Sequence, residues 1–255
     1  TYYMQRSIEV LEARIAPAAV FTYTEADGDI VTVKTSAKVS KEYFESLASY
    51  DGGNLDQLLL NDPAFQNSNL TITVKKAGGG DGKASIGYIQ GRVDLKNVVI
   101  NGDLNGIYIG DSNAATSPIS KFQVQSLGGT GSYSYFEGNV KQIKILGDLT
   151  GSLDANRINA IRIGGSISSI TDLEVMSIGS LVIGGDMRGE IEVEGAIDSI
   201  RIAGNIVNES AGTGMIYANT IKSITVGKSI LGGENTGGWI RAQKIGKVVV
   251  GEDVI

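Results

Sequence analysis

The stretch Ile161–Ile170, IRIGGSISSI, returns in altered form as LVIGGDMRGE (Leu181–Glu190), IRIAGNIVNE (Ile200–Glu209) and ITVGKSILGG (Ile224–Gly233). Each copy reads apolar, polar, apolar, then a glycine turn, then another apolar residue. Alternation of this kind is strand periodicity, because successive side chains of a strand point to opposite faces. Extended outward, the pattern superimposes eight segments starting at Leu95, Ile119, Val140, Ile158, Ile178, Ile197, Ile221 and Ile245, 18 to 24 residues apart. Their first, fourth and sixth positions are apolar without exception, from Val98 with Ile100 to Val248 with Val250. The tenth position is apolar in all but the segment at Ile119.

Lys144, Arg162, Arg201 and Thr225 sit between the apolar positions and are expected to point outward. The eighth position is usually glycine, followed by Asp103, Asp148, Ser166, Asp186 or Asn205, the composition of a turn that needs a permissive backbone. A unit of about 20 residues with two or three short strands cannot bury an apolar face alone, so the units must stack and share a core. The fold class is therefore mainly β: a parallel β-helix, or β-solenoid, over residues 94–255. It has about eight coils spaced ~4.8 Å apart, the last incomplete. Variable repeat length favours a right-handed coil over a strict left-handed hexapeptide helix. The longer stretches Asn208–Gly214 and Leu231–Gly238 read as loops on a side or corner.

Composition agrees and excludes several chemistries. The 255 residues are 42% hydrophobic and 20% charged, with 35 glycines and 3 prolines, which suits short strands and tight turns. With no histidine and no cysteine, the usual Ser-His-Asp and Cys-His triads, the imidazole base, thiolate nucleophiles and structural zinc are ruled out. A net charge of −6 does not fit a nucleic-acid partner. No apolar run reaches the ~18 residues of a membrane span.

Residues 20–93 lack the repeat and read as an α+β cap for the first coil, since bare strand edges invite further pairing. Val20–Ser36 reads as a hairpin tipped by Asp27-Gly28. A short helix N-capped by Ser40 is expected to stop at Gly52-Gly53. A second hairpin is expected over Asn69–Gln90, with its loop at Gly78–Gly82.

Residues 1–19 form a separate N-terminal extension. There, RSIEVLEARIAPA (Arg6–Ala18) carries Leu11, Glu12, Arg14, Pro17 and Ala18. These residues resemble the LEPR-XLL motif at the N-termini of large exported proteins from planctomycete and verrucomicrobial bacteria. Ala13 and Ile15-Ala16 depart from the form that names the motif. The segments YTEADGDIVTVKTS (Tyr23–Ser36) and VKKAGGGDGKASIGYI (Val74–Ile89) are similar to segments of surface proteins from the same bacteria. The resemblance covers roughly the first 90 residues and implies an extracellular, cell-surface location. An amphipathic helix over Tyr3–Ile15, ended by Pro17, is the alternative. No charged-then-apolar leader precedes the first strands, so a leader is expected outside the given sequence or already removed.

Candidate sites are few. Glu25, Asp27 and Asp29 could offer oxygens to calcium, although a hairpin turn accounts for the same residues. No other cofactor is expected. Asp103, Asp148 and Asp186 share one column with Ser166 and Asn205, which turn chemistry explains. Glu190, Glu192 and Glu194 project from one strand face at ~7 Å intervals, within the carboxyl separation of inverting glycosidases, and are equally an ordinary solvent face. Tyr108, Tyr217 and Trp239 could present rings to sugars but do not recur in adjacent repeats. The glycine-rich AGGGDG and GGTGS stretches lack the lysine and strand-to-helix context of a phosphate loop. Lys121, Lys141, Lys144, Arg162, Arg201, Lys222 and Lys247 form a positive stripe near one sheet face.

The last segment, IGKVVVGEDVI, starts another repeat and leaves Val248, Val250, Val254 and Ile255 on an open rung. Either the polypeptide continues or another subunit covers the rung, as in head-to-tail stacking. The expected function is a non-enzymatic structural protein of the cell surface: a surface-layer, fibre or filament subunit that partners itself. The alternatives are a module that binds cell-surface glycans and, further off, a polysaccharide lyase or hydrolase.

Overall fold

A computed structural model describes residues 18–113, 116–208, 213–232 and 238–255. The motif at Arg6–Pro17 and the helix expected over Tyr3–Ile15 lie outside them, as do parts of the loops after Asn208 and Gly232.

Strands β1 (Val20–Thr24) and β2 (Ile30–Thr35) pair antiparallel around Asp27-Gly28, as the alternation of Phe21, Val31 and Val33 requires. Helix α1 (Lys41–Ser46) is N-capped by Ser40, whose Oγ accepts the Tyr43 N–H at 3.1 Å. It ends at Leu47, earlier than expected. Ala48–Asp51 is strand β3, and Gly52-Gly53 turns it into the antiparallel β4 (Asn54–Leu59) instead of stopping a helix. Phe21, Phe44 and Phe65 pack edge-on or tilted around this small core, with ring centroids 5.1 and 5.9 Å apart.

The hairpin expected over Asn69–Gln90 does not form. Strand β5 (Asn69–Lys75) pairs on one side with β2, antiparallel, and on the other with β7 (Leu95–Ile100), parallel. Strand β6 (Ala84–Gly91) lies parallel between β4 and β8 (Gly102–Ile109). The glycine loop between β5 and β6 is thus a corner of a rung. Leu70 and Ile72 sit directly under Val98 and Ile100, so parallel stacking buries both pairs and begins before residue 94. The antiparallel β1–β2 hairpin covers the free edge of β5.

Above this level the ladder is parallel throughout. After β9 (Ile119–Val124) and the two-residue β10 (Ser126–Leu127) come the long strands β11 (Tyr133–Ile145), β12 (Ser152–Ile163), β13 (Asp172–Ile183) and β14 (Glu190–Ile202). They are followed by β15 (Ile206–Val207), β16 (Met215–Val226), β17 (Ile230–Leu231) and β18 (Trp239–Val250). The eight repeat starts enclose about seven complete turns. Each long strand spans two sides of a rung, and register shifts after Phe136, Val175 and Val193 mark where it bends.

The columns read from the repeat stack residue on residue. Val140, Ile158, Ile178, Ile197, Ile221 and Ile245 are partners in turn, and so are Phe122, Ile143, Ile161, Leu181, Ile200, Ile224 and Val248. Most are fully buried, each stabilising the fold by roughly 1.5–3 kcal/mol. The tenth position forms the third side through single bridges linking Leu127, Leu149, Ile167, Met187 and Ile206. In the segment at Ile119 this place is filled by Leu127, one residue early, because Gly128 turns the chain there.

The turn column works as expected, through hydrogen bonds. Asp148 Oδ1 accepts the Ser166 N–H at 2.7 Å, Ser166 Oγ accepts the Asp186 N–H at 3.0 Å, and Asp186 Oδ1 accepts the Asn205 N–H at 2.8 Å. Asn205 Oδ1 then accepts the Ser229 N–H at 3.1 Å. Each side chain satisfies a backbone donor of the next rung, where the ladder is otherwise interrupted.

Candidate functional site

On β11, β12 and β14 the two halves of the strand carry opposite charge. On β7, β9 and the second halves of β11–β18, outward positions hold Lys121, Lys144, Arg157, Arg162, Arg201 and Lys247 among other cations. Asp198 is the one carboxylate among the described residues there, and it pairs with Lys222 at 2.6 Å. The first halves of β11–β14 are the reverse. Glu137, Asp154, Asp172, Glu174, Glu190, Glu192 and Glu194 lie there with no lysine or arginine among them.

Register brings these acids together. Asp154, Glu174 and Glu192 are direct partners on three successive rungs, and Asp172 pairs with Glu190 beside them. None is ion-paired to a described residue. The Glu190 carboxyl is held above its ordinary range, first by partial burial and then by Asp172 and Glu192. Glu192 and Glu194 are exposed, as the sequence indicated; Asp154 and Glu174 join them only through stacking.

Tyrosines continue this surface toward the N-terminal end. The rings of Tyr88, Tyr108 and Tyr133 follow one another across successive rungs with centroids 6.2 and 5.9 Å apart, and Tyr135 stacks on Tyr133 at 6.4 Å. At Tyr108 aromatics therefore do recur from rung to rung, contrary to expectation, because unequal loop lengths hide the stacking; Tyr217 and Trp239 meet no ring among the described residues. Tyr133 donates to Asp154 at 2.8 Å, and burial followed by that carboxylate pushes its phenol up. Tyr217 donates to Met215 Sδ at 3.1 Å, and Trp239 is half exposed at the edge of the last rung.

Tyr108, Tyr135, Glu137, Asp154, Glu174, Glu192 and Glu194 line a trough along the corner where the strands bend. Three shallow depressions of about 430, 380 and 590 Å³ adjoin. The first two share Tyr135 and Glu137, and the second and third share Glu194. Arg92 and Arg241 stand at its two ends.

The calcium candidates are brought together in part. Asp27 and Asp29 offer oxygens within 4.8 Å of one another and of Asp81, from the β5–β6 corner. Asp81 was missed because it lies far along the chain; the second Asp-Gly pair was its only signal. Asp29 is buried and accepts the Ala77 and Gly82 N–H groups at 2.8 and 2.6 Å, so it also ties the hairpin to the corner loop. Glu25 accepts the Ser85 N–H at 2.7 Å, and its carboxyl is raised chiefly by burial. These oxygens are the ones that could hold a hard cation.

Asp94 is buried, and its Oδ1 has no hydrogen-bond partner. Desolvation raises its pKa above the ordinary 3.8, opposed by Thr116 and reinforced by the carboxylates of Asp111 and Glu137. A raised folded-state pKa means that stability is fully present below the ordinary value and is lost as pH rises through the folded value. Asp94→Asn is therefore expected to raise the melting temperature near neutral pH and to leave it unchanged below the ordinary value. Thermal denaturation across that window checks this; an equal effect at both ends contradicts it.

Val248, Val250, Val254 and Ile255 belong to the last described rung, stacked on β16 and β17. Val248, Val254 and Ile255 are 47%, 71% and 77% exposed, while Val250 packs partly against the core. Among the described residues no helix is long and apolar enough to cross a membrane. Comparison with protein-family models, curated proteins and solved structures finds no match to this chain.

Proposed function

We propose that this chain is a non-enzymatic structural segment of a bacterial cell surface, a subunit of a layer, fibre or filament that grows by stacking solenoid rungs. One observation carries the reading. From β11 to β18 the rungs repeat the same apolar columns in register, up to Ile245 over Ile221 and Val248 over Ile224, so each rung offers the next the same apolar face. A parallel rung with apolar columns in register is a template for a further rung, of the same polypeptide or of another copy. The extracellular setting rests on the LEPR-XLL resemblance at Leu11–Ala18. Calcium at Asp27, Asp29 and Asp81 would act as a clamp on the first rungs.

Sedimentation of the chain at high salt tests the reading. Particles are expected to lengthen with concentration, and Val248→Asp to abolish the growth while melting stays within about 0.5 kcal/mol of the parent, as for an exposed position. Single short rods at every concentration, or growth indifferent to Val248→Asp, would overturn it.

A further inference from the structure

We propose that the acidic side of one copy docks against the basic side of a second copy, so that rods associate side by side. The contact is lateral and polar, where the stacking proposed above is axial and apolar.

The argument starts from the cost of the surface as it stands. Like charges directly opposite on neighbouring strands are destabilising, and strands lie only ~4.8 Å apart. Asp154, Glu174 and Glu192 form such a column, and Lys144 and Arg162 face each other in the same way on the other side. Neither set has an ion-pair partner among the described residues. A surface of opposite sign relieves both at once.

A second copy supplies that surface at the right repeat. Strands β11, β12 and β14 carry acid in their first half and cations in their second, while β13 carries acids alone; the acidic stripe thus advances one rung at a time, and the basic one passes over Val182 between Arg162 and Arg201. Rods with parallel axes bring the stripes into step over several rungs. Tyr108 and Tyr135 add ring surface beside the carboxylates, to which guanidinium and ammonium groups are attracted. The two patches differ, so the contact is heterologous and propagates into rings or open arrays.

Sedimentation velocity in chelator, on a Val248→Asp background that removes end-to-end growth, tests the docking. Association is expected at about 0.01 M salt, where screening extends ~30 Å. It should weaken at least about tenfold at about 1 M, where screening extends ~3 Å. Glu174→Lys with Glu192→Lys should weaken it similarly, as should Arg162→Glu with Arg201→Glu, and mixing the two variants should restore it. Unchanged circular dichroism melting would show that both variants fold. No association at low salt, association indifferent to salt or charge reversal, or a mixture that stays apart would overturn the proposal. Polylysine binding to the acidic side without self-association would overturn it too, assigning that side to a cationic peptide.

Discussion

Ile163→Asp is expected to abolish cooperative folding. Ile163 is fully buried between Ile145 and Ile183, its direct partners on the rungs either side. The substitution loses up to about 3 kcal/mol of apolar burial. It also buries a carboxyl that must stay protonated, at a pKa shift of about 3 units or more and hence about 4 kcal/mol. Together these consume much of the ~5–15 kcal/mol that stabilises a domain. In a stacked repeat the loss also uncouples the rungs above from those below. Circular dichroism melting and limited proteolysis should show a disordered or protease-sensitive chain. Thr225→Asp, at an exposed place between two columns, should stay within about 0.5 kcal/mol of the parent. A soluble Ile163→Asp variant with unchanged melting would contradict the register.

Gly128→Val should cost nearly as much, for a different reason. Gly128 follows Leu127 at the turn that displaces the tenth column, with φ +102°. A Cβ there would lie 2.0 Å from the Gly151 nitrogen and 2.4 Å from its Cα, backbone atoms that cannot move without parting two rungs. Backbone strain adds about 1–3 kcal/mol, and a total loss above ~4 kcal/mol is expected. Gly131 separates the two terms. Its φ is +72° but nothing lies within 4 Å of a Cβ, so Gly131→Ala should lose only about 1–2 kcal/mol. Equal losses at the two sites would remove the steric argument.

The same glycine shows why the tenth column was legible everywhere but at Ile119. The residue that fills the column there, Leu127, lies one place early, and only the turn geometry reveals the shift. The side formed by the second strand halves could be read because its apolar positions recur after short, similar turns. The first halves, with Leu153, Leu173, Ile191 and Ile216 as their buried column, follow loops of unequal length and do not align with the repeat starts.

The β5–β6 segment failed for a related reason. Two alternating strands around a glycine loop look alike whether they pair with one another or with neighbouring rungs. The choice is made by Leu70 and Ile72 meeting Val98 and Ile100, a contact that local sequence does not contain. Site residues follow the same division. Glu190, Glu192 and Glu194 were visible on one strand, whereas Asp154, Glu174, Tyr88 and Tyr133 join the surface through register. Asp81 joins Asp27 and Asp29 through the packing of a corner on a hairpin.

Fibre diffraction from aligned material, grown from the purified chain at high salt, tests most directly whether the rungs stack between molecules. Continuous stacking predicts fibres with a reflection at ~4.8 Å along the fibre axis, the spacing of parallel strands. Unassembled short rods of uniform length, or fibres whose strand spacing runs across the axis, would contradict the proposed assembly by rung stacking.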